Sequence, residues 1–309
     1  MAPLVVPPGR PGGVAVVGVG QNTTDHLCVV ERFPRTDEKQ RLAAYAVQPG
    51  GQVATALAAL ARWGVATAYV GTFGDDAGGL EGREALRADG VDVSRAPVRR
   101  GVPNQLSVVL VDARSGERTV LWDRAPALAL DPAEVPADLV SAARVLLIDG
   151  VDPAAARAAA AAARAAGVPV VADVDRSCPD PGAVLPLIDV LLVSWEFARG
   201  WTHAARPEDA LAALAEGGAS VIGVTLGAGG ALVAAGGPPV RLPAHAVAVV
   251  DTTGAGDLFH AGFVWGMLAG RDPVAAARLA NAAAALQCRA LGGRGAIPPL
   301  ADVRALAGL

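Results

Sequence analysis

Lysine is almost missing from this chain of 309 residues. Lys39 is the single example, and it lies in an acidic stretch without flanking glycines. A Walker-type phosphate loop needs a lysine next to its glycines, so the sequence excludes that class of nucleotide hydrolase. The motif set of protein kinases is missing as well. A phosphate site that works without a loop lysine remains open.

Cysteine, aromatic residues and net charge are also scarce. The three cysteines, Cys28, Cys178 and Cys288, are far apart, which argues against a disulfide framework or a zinc site and favours a reducing cytoplasm. The 30 acidic and 26 basic residues leave a formal charge of −4, so no basic field favours nucleic acid or an anionic membrane. Aromatic residues amount to only 4%. We expect a small-molecule partner, no nucleic acid and no membrane.

Long apolar runs of the kind that cross a bilayer are lacking too. The segment 1–20 has no basic region ahead of its apolar stretch, so it does not resemble a secretory signal. Apolar residues nevertheless make up 52% of the chain, which excludes a disordered protein and allows a sizeable core. These features predict a soluble protein located in the cytoplasm.

Short runs of Val, Ile and Leu alternate with alanine-rich helical segments. This is the pattern of βαβ units around a mostly parallel, buried sheet, and it predicts a single α/β domain over residues 1–309. The predicted strands are 14–19, 67–70, 145–148, 168–171, 190–193, 221–225 and 231–234. The predicted helices are 52–63, 78–89, 153–166, 208–216, 258–269 and 273–289.

One region departs from this alternation. Two extended stretches, 107–112 and 119–123, flank a Ser115-Gly116 turn signal and predict a β-hairpin. Together with the polar stretch 31–46, the hairpin suggests a small β-sheet that covers a pocket, drawn from about residues 31–46 and 104–123. An ordinary surface hairpin is the alternative, and the pattern alone does not separate the two.

Residues 251–257 (DTTGAGD) carry the clearest chemical signal. Gly254 and Gly256 form a turn, and a helix is predicted from Leu258 onward. N–H groups at such a helix start form a cradle for phosphate, and Asp257 beside it is placed to accept a proton from a hydroxyl that attacks a phosphoryl group. The helix end should favour the ionised carboxylate. The alternative is an ordinary helix N-terminus.

Weaker signals lie elsewhere. Asp25 follows the first strand and could accept hydrogen bonds from two hydroxyls of a polyol, or form an Asx turn or helix cap. Gly50-Gly51 precedes a helix and either admits a ligand or punctuates a loop. The turn 225–230 either passes under a nucleotide or closes a hairpin. The histidines show no metal-ligand spacing, although His260 could face the same crevice as Asp257.

In combination these motifs resemble the ribokinase-like, or PfkB, carbohydrate kinases. Residues 251–257 look like the signature of that family, and Gly50-Gly51 with its helix looks like the N-terminal signature. The segment 71–78 (GTFGDDAG) is a further match, and Asp25 and the turn 225–230 occur in the expected order. The resemblance covers nearly the whole chain.

The resemblance implies ATP-dependent phosphorylation of a sugar hydroxyl under a β-sheet lid. It implies that Asp257 is the base and that the anion hole consists of Gly254, Ala255 and Gly256. The implied sugar-binding residues are Asp25, Gly50 and Gly51. The residues implied along the nucleotide, whose phosphates Mg²⁺ would bridge, are Thr225, Gly227 and Gly230. The residues that resemble a monovalent-cation site, for example for K⁺, are Asp251 and Thr253.

The sequence departs from the family pattern at two places. Thr55 occupies the helix position where many members carry an asparagine that touches the sugar. Glu196, the candidate magnesium residue, is displaced by one from the usual Asn-x-x-Glu motif. The arrangement from Ser194 to Glu196 looks like the ketohexokinase branch, and residues 292–294 (GGR) resemble the tail of sulfofructose kinases. Both features favour a ketose as substrate.

Other functions remain as alternatives. A nucleoside kinase would use the same base and anion hole, and a phosphosugar kinase would need several arginines in the pocket. A non-catalytic sugar-binding protein of the same fold is an option from a different class. A nicotinamide-dependent oxidoreductase is disfavoured because no G-x-G-x-x-G follows the first strand. Since a lid edge can pair with a second subunit, we also expect a homodimer.

Overall fold

The computed structural model describes residues 4–9 and 12–309. The strands of these residues, in chain order, are β1 (Val16–Val19), β2 (Thr23–Val30), β3 (Ala44–Gly50), β4 (Thr67–Val70), β5 (Phe73–Gly74), β6 (Val98–Arg99), β7 (Leu106–Asp112), β8 (Arg118–Asp123), β9 (Val145–Ile148), β10 (Val170–Ala172), β11 (Val190–Ser194), β12 (Val221–Thr225), β13 (Ala231–Ala234) and β14 (Val240–Leu242). The α-helices are α1 (Gln52–Arg62), α2 (Ala77–Ala88), α3 (Ala137–Ala142), α4 (Pro153–Ala165), α5 (Pro181–Val184), α6 (Trp195–Thr202), α7 (Pro207–Ala215), α8 (Ala255–Leu268), α9 (Pro273–Gln287) and α10 (Leu300–Ala307).

The main sheet is largely parallel. In the described part of the chain its strand order is β14-β13-β12-β11-β10-β9-β1-β4, and the six strands from β12 to β4 are parallel, while β13 and β14 are antiparallel. Its central strands are runs of Val, Leu and Ile that are buried on both faces, as expected when helices cover a parallel sheet. The predicted α/β architecture is confirmed.

Helices cover both faces because successive strand residues point to opposite sides. Leu147 of β9 packs in the core with α1, α8 and α9, whereas its neighbours Leu146 and Ile148 pack with α4, α6 and α7. The alanine-rich α4 turns five buried alanines toward the sheet, so it is a structural helix.

In the described ranges, no helix has the length and apolarity needed to span a bilayer.

Most predicted boundaries agree with the structure to within three residues. Strands β4, β9, β12 and β13 have the predicted bounds. Helix α8 begins three residues before its predicted start, because the glycine turn leads directly into it. Helices α6 and α10 and strand β14 were not predicted, since each is short and lacks a long apolar pattern.

A second, four-stranded sheet has the order β3-β2-β7-β8. The predicted hairpin is present as β7 and β8, which pair antiparallel with each other, and β7 pairs with β2. The prediction for residues 31–46 was wrong for most of that stretch. Only its last three residues lie in β3, and the rest connects β2 to β3, because the strand-forming apolar residues flank the polar stretch rather than lie within it.

Candidate active site

Two carboxylates that were not predicted lie at the same edge of the main sheet as the predicted start of α8. Asp149 and Asp173 directly follow the carboxyl ends of β9 and β10, where open α/β sheets bind ligands. The first turn of α8 lies at the same edge, since His260 contacts the carbonyl oxygen of Leu192 on β11 at 3.0 Å. This edge therefore brings carboxylates and a helix N-terminus together.

The turn before α8 depends on glycine. Gly254 is the N-cap, with a φ of 80°, a left-handed conformation that side chains disfavour. A Cβ there would lie 2.6 Å from the Cα of Gly293, so the backbone of a distant loop occupies the space. Gly256 differs, because a Cβ there would meet no atom within 4 Å. The open side of the turn is therefore at Gly256.

The start of α8 presents unused amide groups. In the ranges that the structure describes, the N–H groups of Gly254, Gly256 and Asp257 have no hydrogen-bond acceptor. The N–H of Ala255 donates to the carbonyl oxygen of Thr252 at 3.2 Å, so it is the engaged member of the predicted hole. Orphan amides at the positive end of a helix attract an anion. We call this group with the Asp257 carboxylate the helix side of the site.

The pKa of Asp257 differs from the expectation that the helix end keeps this carboxylate ionised. Burial and the nearby charge of Asp173 raise its pKa above the ordinary value for aspartate, while Arg118 and His260 act in the opposite direction. The favourable effect of the helix end on the carboxylate is therefore outweighed. A carboxylate with a raised pKa is a stronger proton acceptor than an ordinary aspartate.

His260 links three parts of this edge. Its Nδ1 lies 2.9 Å from the carbonyl oxygen of Gly256 and 3.2 Å from a carboxylate oxygen of Asp173. Its Nε2 lies 3.0 Å from the carbonyl oxygen of Leu192. Burial lowers the pKa of the imidazole. His260 is thus a buried structural residue that also touches the carboxylate next to Asp257.

Asp25 belongs to the small sheet rather than to a turn or helix cap. It lies within β2, pairs in register with Gln48 and Ser107, and is 8% exposed. The hydroxyl of Thr23 donates to its carboxylate at 2.5 Å. Burial raises the pKa of Asp25, and the charges of Arg294 and Arg118 oppose that rise. Asp25 and Asp257 are close enough for the charge of Asp25 to raise the pKa of Asp257.

Gly50 and Gly51 lack side chains at positions where other parts of the protein lie very close. A Cβ on Gly50 would lie 1.9 Å from the Asp25 carboxylate, and a Cβ on Gly51, whose φ is 95°, would lie 2.5 Å from the carbonyl oxygen of Gln21. Any side chain at position 50 would therefore displace the Asp25 carboxylate. Whether these glycines also touch a sugar stays a prediction.

Sequence analysis singled out Arg294 only as part of the GGR segment 292–294 and did not assign it a place in the site. Its Nη2 donates to the carbonyl oxygen of Gly50 at 2.7 Å, and its Nε lies 3.2 Å from the Thr55 hydroxyl, which is fully buried on α1. These partners are 244 and 239 residues away in the sequence, so no local motif could reveal the contact. We call Asp25, Gly50, Thr55 and Arg294 the small-sheet side of the site.

A chain of side-chain amides runs between the two sides. Gln105 donates to Gln21 at 2.6 Å, Gln21 donates to Gln52 at 2.7 Å, and Gln52 donates to the carbonyl oxygen of Asp173 at 3.3 Å. The backbone N–H of Gln21 also donates to Asp149 at 2.7 Å. Burial raises the pKa of Asp149 to about 7. Sequence analysis missed this hydrogen-bond network because single glutamines carry no motif.

The turn after β12 joins two antiparallel strands, as the hairpin alternative predicted. Thr225 ends β12, and a Cβ added at Gly227 would meet no atom within 4 Å. At Gly230, whose φ is 85°, a Cβ would lie 1.9 Å from the carbonyl oxygen of Leu242. Gly230 therefore serves packing, and the open surface of this turn lies at Gly227. The nucleotide role of all three residues stays a prediction.

The candidate cation residues have protein partners. One Asp251 carboxylate oxygen accepts from the Thr253 N–H at 2.9 Å and hydroxyl at 2.8 Å, and the other accepts from the Gly292 N–H at 2.8 Å. Asp251 thereby ties the glycine turn to the loop that carries Arg294. Glu196 is exposed and pairs with Arg176 at 3.1 Å. The roles of these residues in binding K⁺ or Mg²⁺ stay predictions.

Comparisons with known proteins identify the family of this chain. The pfkB family carbohydrate kinase model matches residues 15–299. An ATP-dependent ribose-1-phosphate kinase of Halopiger xanaduensis is 32% identical over 292 residues, which are 94% of this chain and 96% of that protein. Arabidopsis thaliana ribokinase, solved with ribose and ATP, has a TM-score of 0.81 at 27% identity and covers 96% of this chain and 99% of its own. Adenosine kinase of Sinorhizobium meliloti has a TM-score of 0.83 at 26% identity, over 95% and 99% of the two chains.

The family match and the fold thus define a ribokinase-like sugar kinase, a phosphotransferase whose acceptor is a sugar hydroxyl. The chain belongs to the pfkB family of carbohydrate kinases. The nearer resemblance to the ketohexokinase branch is not confirmed, because the relatives are named for ribose, ribose 1-phosphate and adenosine.

Proposed function

We propose that this protein transfers the terminal phosphoryl group of ATP to a hydroxyl of a ribose-like sugar. The observation that carries the proposal is the pairing of a proton-accepting carboxylate, Asp257, with free amides at the start of α8. The names of the relatives support ATP as donor and a pentose as acceptor. A ketose and a nucleoside are the acceptors that a test must separate from ribose.

The proposed chemistry divides between the two sides of the site. Asp257 accepts the proton of the attacking hydroxyl, and its raised pKa suits it to that role near neutral pH. The amides around Gly254 and Gly256 donate to the oxygens of the transferred phosphoryl group as its charge redistributes. Asp25 accepts hydrogen bonds from other sugar hydroxyls and so orients the acceptor. Ala255 and Gly51 are proposed to lie beside the acceptor, and the buried Thr55 is proposed to act through its contact with Arg294.

Thr225, Gly227 and Gly230 are proposed to lie along the nucleotide. Across the described ranges, no cluster of three or more His, Cys, Asp or Glu side chains is arranged to hold a metal ion. Mg²⁺ would bind together with the nucleotide phosphates, which is its usual mode in kinases. It would supply positive charge between those phosphates, and Glu196 is the residue we propose near it.

The test is a panel of acceptors assayed for ATP consumption, with the product identified by phosphorus NMR. Ribose, fructose, ribose phosphates and adenosine are compared, and Asp257→Asn serves as the inactive control. We expect sugar-dependent ATP consumption with a pentose acceptor preferred. ATP consumption that ignores the sugar, or a preference of more than tenfold for adenosine, would contradict the proposal.

The small sheet is proposed to act as a lid that also joins two copies of the chain. Its edge strand β8 is exposed along its length, including Leu121 at 58% and Trp122 at 56%. Exposed apolar strands at a sheet edge favour pairing with another chain. A homodimer mass is expected by light scattering, and a monomeric mass at micromolar concentration would contradict the dimer.

The free state of all three cysteines supports a reducing, cytoplasmic location.

A further inference from the structure

The exposed indole of Trp122 lies beside the acceptor-binding residues. The structure describes all five tryptophans, and Trp122 is the most exposed of them at 56%. It belongs to β8, the edge strand of the small sheet. Because an aromatic ring gains free energy when apolar atoms cover it, this indole is available to a ligand or a partner.

The strand register places Trp122 on the same face of the small sheet as Asp25. Asp25 of β2 is in register with Ser107 of β7, and Ser107 is in register with Trp122 of β8. Residues paired in this way project to the same side of a sheet. Neighbouring strands are about 4.8 Å apart, so the Cα atoms of Asp25 and Trp122 are roughly 10 Å apart. One sugar ring can bridge that distance when both side chains project toward it.

The same face of β8 is turned toward the helix side of the site. Arg118 lies four residues before Trp122, and the alternation of side chains along a strand puts both on one face. The Nη1 of Arg118 donates to the Thr252 hydroxyl at 3.0 Å. Thr252 lies two residues before Gly254, whose free amide belongs to the helix side. Trp122 therefore projects from a sheet face that extends from Asp25 to the glycine turn before α8.

The row of side chains through Asp25 is covered at one end and open at the other. Gln48 of β3, the neighbour of Asp25 on its other side, donates from Nε2 to the carbonyl oxygen of Leu291 at 3.3 Å. The loop after α9 thus lies over the β3 end of the row. At the β8 end Trp122 is exposed, and Val120, two residues earlier on the same face, is 45% exposed. An acceptor held by Asp25 therefore has its free side toward Trp122.

We propose that Trp122 stacks on the C–H face of the acceptor ring while Asp25 holds its hydroxyls, and that this contact selects cyclic sugars over open-chain polyols. A closed sugar ring presents a flat side of C–H groups that an aromatic face covers well, and binding pockets combine such apolar walls with a few polar groups. An open-chain polyol offers similar hydroxyls without that flat side, and it loses more conformational freedom on binding. The inference rests on the proposed function and deepens it by naming a specificity-determining residue.

Two other covers for the indole compete with a sugar ring. One is a second copy of the chain paired along β8, which would also cover Leu121 on the opposite face of the same strand. The other is a nucleobase, which would stack on the indole through its own ring rather than through the sugar. The experiment therefore includes Leu121→Ala and adenosine, so that each cover gives a different result.

The experiment measures KM for ribose and the inhibition constant of ribitol against ribose in the wild type and three variants. In Trp122→Ala we expect KM for ribose to rise about 20-fold, while the inhibition constant of ribitol changes by less than about threefold. Trp122→Phe keeps an aromatic face and should stay within about threefold of the wild type for both quantities. Leu121→Ala, exposed on the opposite face of β8, is the matched control and should change neither. Equal rises for ribose and ribitol, or an equal effect of Leu121→Ala, would overturn the inference.

Tryptophan fluorescence gives a readout that needs neither turnover nor a folded Trp122→Ala protein. Ribose should change the emission of the wild type, and this change should be absent in Trp122→Phe. Identical responses of the two proteins, or a difference that adenosine produces and ribose does not, overturn the inference. A dimer mass that is lost in Trp122→Ala by light scattering assigns the indole to a subunit interface and also overturns it.

Two combined outcomes separate this inference from the kinase proposal. Turnover of ribose with no effect of Trp122→Ala on its KM overturns the inference and leaves the kinase proposal standing. A ribose-dependent fluorescence change of Trp122 without any turnover supports the inference and overturns the kinase proposal.

Discussion

The helix side of the site is made from one turn of chain, whereas the small-sheet side is made from segments that are far apart in sequence. Gly254, Gly256 and Asp257 lie within four residues, and their shared chemistry comes from backbone amides and one carboxylate. Asp25, Gly50 and Arg294 meet only because β2, β3 and the loop after α9 converge. We propose that the first side carries out phosphoryl transfer to a bound alcohol and that the second side selects which alcohol binds.

The relatives of this chain are named for different acceptors. Proteins named for ribose, ribose 1-phosphate and adenosine share the fold of this chain. A local turn can be kept while distant segments change, so one phosphoryl-transfer device can serve many acceptors. Substitutions on the two sides should therefore have different kinetic signatures.

The largest effect is expected at Asp257. Asp257→Asn removes the proton acceptor and keeps the size of the side chain, so kcat should fall by at least 1,000-fold while sugar affinity changes by less than threefold. Steady-state kinetics and calorimetric sugar binding measure the two quantities. An unchanged kcat would show that the base lies elsewhere.

Asp25→Asn should give the opposite signature. The amide cannot accept on both of its polar atoms, so it loses hydrogen bonds to the acceptor, and we expect KM for the sugar to rise about 100-fold. KM for ATP should change by less than threefold, which serves as the internal control. A fall in kcat with an unchanged KM for the sugar would mean that Asp25 does not bind the acceptor.

Gly254→Ala tests the contact between the two sides. The added Cβ meets the backbone of Gly293 and forces alanine into a left-handed conformation, so the free energy of unfolding should fall by about 2 kcal/mol. Gly256→Ala is the matched variant in open space inside α8, and it should keep or slightly raise stability. Chemical denaturation measures both. Equal stabilities of the two variants would contradict the tight packing at Gly254.

The smallest effect is a shift in pH dependence. Burial and, after it, the charge of Asp173 raise the pKa of Asp257, so the activity of the wild type should decline on the acid side at a pH above that of an ordinary aspartate, near 4. Asp173→Asn removes that charge, and the acid limb of kcat should move down by about one pH unit. Its partner His260 stays in place through Gly256 and Leu192. An acid limb that stays in place or rises would contradict the coupling.

Much of the helix side was predictable from the sequence because its signal is local. The glycines and Asp257 share one turn, and the helix that follows has a recognisable apolar pattern. The pKa of Asp257 was not predictable, since it depends on burial in the folded protein and on Asp173, which follows β10 and is far away in the chain. Asp25 was identified as a candidate, but its setting was wrong because a strand of the small sheet follows β1 after only a few residues.

The sequence by itself determined the α/β alternation, the glycine turn before α8 and the carboxylate beside it, because each depends on residues that are neighbours along the chain. Only the tertiary structure decided which distant residues meet on the small-sheet side of the site. Arg294 reaches Gly50 and Thr55 across more than 230 residues, and these contacts become visible only when the fold is known. Hydrogen bonding and desolvation depend on what surrounds a group in space, and that information is absent from a local pattern.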